Sequence, residues 1–469
     1  MQFTIARFER ALAASLPAPP GGQPQRLWVA LSGGLDSTVL LVALAELARD
    51  RPGRWTTRAL HVDHALQADS AKWSRASAAL ALAAGVPFEE VRVDVRPAAG
   101  ESVEAAARDA RYAAFRQRLE PGDVLLTAHH ADDQLETVLL QWLRGGGLRA
   151  IAGMAPLAAF GREAWHSRPL LGFERAELER YARDRGLDWV EDPSNADLRF
   201  DRNYLRHAVL PLLRQRWPAA ARTAGRVADY ARDALALEAD LATRDLMEVS
   251  RGRAIDLARL HELPDARQRA VLRAWLTALD LPLPAAETLA ALRKDVGVAA
   301  VDRNPHTAWA GAVVHRYRGC LHVEAAGVVP SIVEGVWRPV ESPRYAWDES
   351  AAVELLPAVG HGLSRARLPA QLRVAGRSRG ERFRRAGGAH RRPLRKWLQE
   401  HDVLPWRRWD LPLLLDEAGN LVAIADLGYA HEYAAQPDEP SWRVVWHGRG
   451  IVTESDAFGF RWPGPPTIR

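Results

Sequence analysis

The chain has 469 residues, 63 Lys and Arg against 58 Asp and Glu, and a formal net charge of +5, with 48% hydrophobic residues. That length is too great for one core and enough for about two to four domains, and the apolar content excludes bulk disorder. No apolar run approaches the roughly 20 residues of a membrane span, "MQFTIARFER" lacks the layout of a secretory leader, and the lone Cys320 excludes an intramolecular disulfide, a Cys-built zinc site and a CxxC redox pair.

A cytoplasmic protein without a membrane partner is therefore expected. Through the first half, short apolar runs alternate with helical periodicity. "RLWVAL" (26–31), "TRALHVDH" (57–64), "FEEVRVDV" (88–95) and "DVLLTAHH" (123–130) read as strands. "STVLLVALAELARD", "SAKWSRASAALALAAG" and "SVEAAARDARYAAFRQRL" between them read as helices. Repeated strand–helix–strand units predict an α/β domain with a Rossmann-like parallel sheet, whose ligands sit beyond the carboxyl ends of the strands. A mainly helical middle domain and a small α+β C-terminal domain are expected to follow. The boundaries read as 1–217, 218–330 and 360–450.

The first strand runs into Ser32-Gly33-Gly34-Leu35-Asp36-Ser37 and then into a helix. The two glycines turn the chain and let backbone N–H groups approach an oxyanion, and the helix presents its positive end. No Gly-Lys-Ser/Thr follows, so this is not a Walker A loop. Asp36 is out of place beside an anion unless a divalent cation bridges it to phosphate oxygens. Read alone, the hexapeptide also serves as a turn capped by Ser and Asp.

"HVDHAL" (61–66) ends the second strand, and "EAAARDARY" (104–112) sets Glu104, Arg108 and Arg111 on one helical face. "AHHADDQLET" (128–137) places His129 and His130 at a strand end and Asp132, Asp133 and Glu136 at the start of a helix. Three acids beside two histidines suit Mg²⁺ or a cationic amine, and not zinc, which wants softer ligands. "LRGGGLRAIAGM" (143–154) reads as a flexible turn, and "RPLL" (168–171) follows it. In "EDPSNADLRFDRNYLRHAVLPLL" (191–213), Asp192, Asn195, Arg202, Asn203 and Arg206 form a polar cluster that either caps a helix or meets a substrate.

Basic charge is concentrated late in the chain. From Arg373 to Lys396 there are ten basic residues and one acid, Glu381, which leaves the remainder of the chain net acidic. Trp397, Trp406 and Trp409 lie close by in sequence. Such a segment is either a solvated face or a nucleic-acid contact.

The SGGLDS loop after an apolar strand resembles the pyrophosphate loop (PP-loop) of the N-type ATP pyrophosphatases. SGGxDS, HVDH, E…AR..RY, AHHxDDQxET, the RGxG turn, RPLL and EDxSN…RN..R, in this order, resemble the tRNA(Ile)-lysidine synthetase family over about residues 25 to 215. Residues 376–424 resemble that family's C-terminal domain, and Ala65 and Ala150 stand where the family usually has glycine. The resemblance implies replacement of the carbon-2 oxygen of the wobble cytidine of CAU-anticodon tRNA(Ile) by L-lysine, through an adenylated cytidine. ATP and Mg²⁺ would be required. It implies that Ser32, Gly33, Gly34, Leu35, Asp36 and Ser37 bind ATP, with Asp36 also on the metal. Arg111 and Arg108 would neutralise charge near the α-phosphate, Asp133 and Glu136 would hold the lysine amine, and His129 or Asp132 would help move protons. Arg202, Arg206, Arg382, Arg384, Arg392 and Lys396 would meet the tRNA. A homodimer is compatible with the sequence and not indicated by it. The rival readings are another PP-loop tRNA-modifying enzyme and a non-catalytic tRNA-binding protein. Thiolation is disfavoured by the isolated Cys320, and amidotransfer by the lack of an N-terminal nucleophilic cysteine.

Overall fold

In the computed structural model the described residues are 2–18, 24–64, 70–95, 103–161, 163–191, 197–292, 306–327, 331–378, 380–448 and 450–459. The chain forms two compact units, Met1–Ala236 and Leu237–Arg469. Ala65, Asp192 and Asn195, and the side chain of Glu104, lie outside the described residues.

The first unit begins with α1 (Ile5–Ala14), β1 (Gln25–Ala30), α2 (Leu35–Asp50), β2 (Trp55–Asp63), α3 (Ser70–Ala84), β3 (Phe88–Arg92) and α4 (Val103–Arg118). It continues with β4 (Val124–Leu126), α5 (Ala131–Leu143), α6 (Leu148–Ile151), β5 (Leu157–Phe160), β6 (Ala164–Ser167), α7 (Arg175–Asp184), α8 (Asp201–Tyr204) and α9 (Leu210–Arg216). A π-helical turn, Leu205–Val209, joins α8 to α9. The sheet order is β3-β2-β1-β4-β6-β5. All pairings are parallel except β5 with β6, a hairpin at the edge that the sequence did not predict.

Continuous apolar runs suit strands covered on both faces. Leu27 and Val29 of β1 and Ala59 of β2 pack with α1, α2 and α7 in the larger core, while Trp28, Leu60 and Leu125 point to a second core completed by Phe115 and Phe160. Because β1, β2, β4 and β6 run in one direction, the segments after them gather at a single edge. That edge carries Ser32–Gly34, His64, Thr127–His130 and Arg168.

The unit boundary falls within α10 (Ala220–Val249). In the second unit, β7 (Ser250–Arg251), β8 (Ala254–Asp256), β9 (His306–Trp309), β10 (Ala312–Tyr317) and β11 (Cys320–Ala325) form an antiparallel sheet. Helices α11 (Leu257–Glu262), α12 (Asp265–Ala278) and α13 (Ala286–Ala291) accompany it, around the fully buried Trp275. The helical middle region therefore also contains a five-stranded sheet.

The C-terminal region is α+β. One antiparallel sheet joins Gly335–Trp337, Leu372–Ala375, Leu413–Leu415, Leu421–Ile424 and Gly428–Tyr429, and another joins Arg344–Ala346, Ala352–Val359, Pro440–His447 and Leu363–Ser364. A short hairpin of Arg382–Phe383 and Arg392–Pro393 leads into α14 (Leu394–Glu400). Among the described residues, no helix is long and apolar enough to cross a membrane.

Candidate active site

The loop after β1 is held from several sides. Ser32 Oγ and Ser37 Oγ are 3.0 Å apart, Ser37 Oγ donates to the Gly34 carbonyl at 3.0 Å, and Val190 N donates to the Gly33 carbonyl at 2.9 Å. Gly33 has φ +81°, and a Cβ there would lie 2.9 Å from Ser77 Oγ, so both conformation and space call for glycine. Gly34 is the N-cap of α2 and supplies no side-chain cap, leaving the helix N-terminus open to an anion. Leu35 is buried and anchors the first turn.

Asp36 stands in that first turn. Its Oδ1 is buried and has no hydrogen-bond partner among the described residues, while Oδ2 lies 3.6 Å from His130 Nε2. A solvent-shielded carboxylate oxygen without a donor is costly unless something absent from the protein satisfies it.

The HVDH histidines both serve this edge. His61 Nδ1 is 2.8 Å from the Leu31 carbonyl and pins the start of the loop. His64 Nε2 accepts from Arg111 Nε at 3.0 Å. Burial, aided by Arg111, pushes His64 down to about 4, so it remains a neutral acceptor. The arginine expected at the α-phosphate is thus tied to the end of β2. Arg108 is exposed, with its guanidinium over the Tyr112 ring at 5.6 Å.

The N-terminus of α5 is closed by a reciprocal box. His130 N donates to Asp133 Oδ2 at 3.0 Å, and Asp133 N donates to His130 Nδ1 at 3.3 Å. Burial disfavours charge on His130, but Asp133 and Asp36 outweigh it and raise its pKa. Asp132 accepts from Arg175 N at 2.6 Å and pairs with Arg214, so it fastens α5 to α7 and α9. With both oxygens engaged, Asp132 is poorly placed to carry protons.

Asp133 and Glu136 do not face an empty pocket. Arg202 donates to Glu136 Oε2 at 2.7 Å and Asp133 Oδ1 at 3.0 Å. Arg206 donates to Glu136 Oε1 at 2.7 Å, Glu136 Oε2 at 3.0 Å and Asp133 Oδ1 at 3.2 Å. Two carboxylates and two guanidiniums form one neutral quartet. Burial opposes ionisation of Asp133, yet His130 and Arg202 overcome it and hold its pKa down at about 2. Arg202 and Arg206, expected at the tRNA, are turned onto these acids. The partnership was not visible in the sequence, although Arg202 and Arg206 four apart, opposite acids three apart, carried its geometry.

His129 Nδ1 lies 2.8 Å from Thr127 Oγ1, and Thr127 Oγ1 lies 2.8 Å from His166 Nε2. Neither Thr127 nor His166 was singled out in the sequence.

In the second unit, Arg382, Arg392 and Lys396 are exposed on the short hairpin and α14, and Arg384 is partly covered beside Glu432. Of the three tryptophans, Trp397 is 4% exposed and belongs to the core, whereas Trp406 stacks on His315 at 4.0 Å. Trp409 is exposed, with Arg377 over its ring at 4.8 Å, and is the most exposed of the three.

Three protein families match this chain in succession: the PP-loop domain over residues 5–213, the TilS substrate binding domain over 255–322 and the TilS substrate C-terminal domain over 372–446. A tRNA(Ile)-lysidine synthase of Alkalilimnicola ehrlichii is 41% identical over 433 residues, which covers 90% of this chain and 93% of the relative. The chain belongs to the tRNA(Ile)-lysidine synthase family. Similar relatives of that name occur in Methylococcus capsulatus, 37% identical over 89% of this chain and 95% of its own, and in Pseudomonas syringae, 40% identical over 89% and 92%. As a member of that family the chain is an ATP-using ligase that modifies tRNA, and the edge after β1, β2 and β4 lies within its PP-loop domain.

Proposed function

We propose that this protein joins L-lysine to carbon 2 of the wobble cytidine in CAU-anticodon tRNA(Ile), releasing AMP and pyrophosphate. The observation that carries this reading is Asp36, unpartnered at Oδ1 among the described residues, in a glycine-shaped anion loop at the open N-terminus of α2. The cytidine carbonyl oxygen attacks the α-phosphate of ATP, and pyrophosphate leaves. The lysine ε-amine then attacks carbon 2, and AMP departs with the original oxygen. Ser32, Gly33, Gly34, Leu35 and Ser37 bind the pyrophosphate end, and Arg111, together with Arg108, offsets charge at the α-phosphate.

A Mg²⁺ ion fits the loop. Among the described residues no cluster of three or more ligating side chains exists, so Asp36 would hold the ion together with phosphate oxygens and water, as Mg²⁺ prefers. When bound, it neutralises charge on the departing pyrophosphate. We assign adenylation to residues 1–217 and tRNA positioning to 218–330 and 360–450, where Arg382, Arg392, Lys396 and Trp409 offer phosphate contacts and a stacking face.

Asp133 and Glu136 are the carboxylates assigned to the lysine amine, which must share them with or displace Arg202 and Arg206. Asp133→Asn is expected to raise the KM for lysine at least tenfold with little change in the KM for ATP. An unchanged lysine dependence would remove Asp133 from the pocket. Gly33→Ala, which introduces strain of about 1–2 kcal/mol at a left-handed position, is expected to weaken ATP binding roughly tenfold in a nucleotide titration.

The deciding experiment is incorporation of labelled lysine into CAU-anticodon tRNA(Ile), with and without ATP, using tRNA(Met) as decoy. ATP-dependent labelling of tRNA(Ile) alone supports the reading. AMP release on adding tRNA, with no lysine incorporated, assigns the chain a different nucleophile.

A further inference from the structure

We infer that Thr127, His166 and Arg168 form a one-way hydrogen-bonded chain that fixes His129 with its proton on Nε2, so that His129 acts in the reaction as a hydrogen-bond donor and not as a base. The inference rests on the lysidine-forming reading for its catalytic meaning and on local geometry for everything else.

The direction is set at the far end. A guanidinium has donors and no acceptor. Arg168 Nη2 lies 3.0 Å from His166 Nδ1, and its Nη1 donates to the Ala155 carbonyl at 2.7 Å, which holds the group in place. His166 Nδ1 must therefore accept. His166 is 3% exposed, and burial beside Arg168 pushes it down to about 3, so it carries a single proton, on Nε2. That proton is donated to Thr127 Oγ1 at 2.8 Å. The Thr127 hydroxyl has one proton of its own, and its other partner is His129 Nδ1, also at 2.8 Å. His129 is in turn pushed down to about 4 by burial, against the pull of Asp133 and with the support of Arg168, Arg202 and His130. A neutral imidazole that accepts at Nδ1 has its proton on Nε2.

The backbone builds this chain. β4 and β6 are parallel neighbours with Leu125 opposite His166 and Leu126 opposite Ser167, and Thr127 N donates to the Ser167 carbonyl at 3.0 Å. Thr127 and Arg168 thus leave the sheet side by side at the ligand edge. The arrangement inverts the familiar hydrolase triad, where a carboxylate behind the imidazole accepts its proton and leaves the outer nitrogen as a base. A guanidinium behind the imidazole leaves the outer nitrogen as a donor. In the proposed reaction such a donor stabilises negative charge gathering on oxygen, at the α-phosphate during adenylation or on AMP as it leaves carbon 2. Thr127, His166 and Arg168 are positioning residues that act through His129.

The test uses the full chain labelled with ¹⁵N in its histidine rings, read by long-range nitrogen–proton correlation, which distinguishes the tautomers. The His129 signals are identified by their loss in His129→Gln. The expected result is the Nε2–H form for His129 and His166 at neutral pH. Thr127→Val should convert His129 to a mixture of tautomers and lower kcat for lysidine formation roughly tenfold to a hundredfold, less than outright deletion of such a donor, with the KM for ATP within about threefold. Thr127→Ser should restore both. Finding His129 as Nδ1–H in the wild type overturns the inference, even if Thr127→Val fails to fold. So does an unchanged His129 tautomer in a folded Thr127→Val. Because the spectra require no turnover, correct tautomers with no lysine incorporation would sink the functional reading and leave the chain intact.

Discussion

Asp36→Ala is expected to abolish AMP release and lysidine formation together, by on the order of a thousandfold or more, because a metal-holding carboxylate supplies several kcal/mol to charge stabilisation at phosphoryl oxygens. The empty protein should scarcely notice the change. Asp36 gains from its place in the first turn of α2, worth about 0.3–1 kcal/mol, and from His130 3.6 Å from its Oδ2, but its Oδ1 is shielded from water without a donor among the described residues, a penalty of about 1–3 kcal/mol. These contributions oppose each other, and thermal unfolding should shift by no more than a few degrees. AMP release and a thermal melt on the same preparation check both halves. AMP release within tenfold of wild type would show that Asp36 holds nothing the reaction needs. A melt lowered by many degrees would show that its role is structural.

The sequence displayed the loop because glycines, serines and an apolar strand leave a compact local record. The four strands it predicted appear as β1 to β4, and β1, β2 and β4 hold the most buried apolar runs, whereas β3, "FEEVR", lies at the sheet edge without a buried residue. The β5–β6 hairpin escaped detection because its four-residue strands, "LAAF" and "AWHS", carry too little alternation to read. Yet β6 brings His166 and Arg168 to the site.

What stayed hidden was mostly the choice of partner. Arg202 and Arg206 look like any pair of surface arginines four apart, in a chain where arginine is abundant. Only the fold of α8 and the π-helical turn against α5 shows that they face Asp133 and Glu136. The glycines of "RGGGLRAIAGM" read as flexibility, yet Gly146 and Gly153 are places of close approach, while Gly145 and Gly147 have open space around them. A Cβ on Gly146 would lie 2.3 Å from that of Ala150, and one on Gly153 would lie 2.7 Å from Gln134 Oε1. Trp397, Trp406 and Trp409 lie equally close to the basic segment in sequence, and local spacing cannot show that Trp397 is a core residue while Trp409 is exposed.

Arg206→Ala is expected to destabilise the first unit by about 2–4 kcal/mol, reduced from the roughly 3–5 kcal/mol for breaking a fully buried ion pair because the Arg206 side chain is 23% exposed while that of Glu136 is 1% exposed. The quartet of Asp133, Glu136, Arg202 and Arg206 is neutral as it stands. Removing one guanidinium deletes three hydrogen bonds and leaves Arg202 alone against two carboxylates, a net negative charge. Adding Glu136→Gln to Arg206→Ala should recover part of the loss, because the surplus charge goes with it. Acid should narrow the gap between wild type and variant. The Asp133 pKa is depressed to about 2, so its contribution is complete above the ordinary carboxylate range near about 4 and disappears as pH falls from there towards about 2. The same variant also tests the lysine pocket. The vacated place beside two carboxylates suits an ammonium, so if the substrate amine binds there, millimolar lysine should raise the melting temperature of Arg206→Ala more than that of the wild type. An equal response in both proteins would mean that the amine is held elsewhere and that the quartet is a brace between α5 and α8.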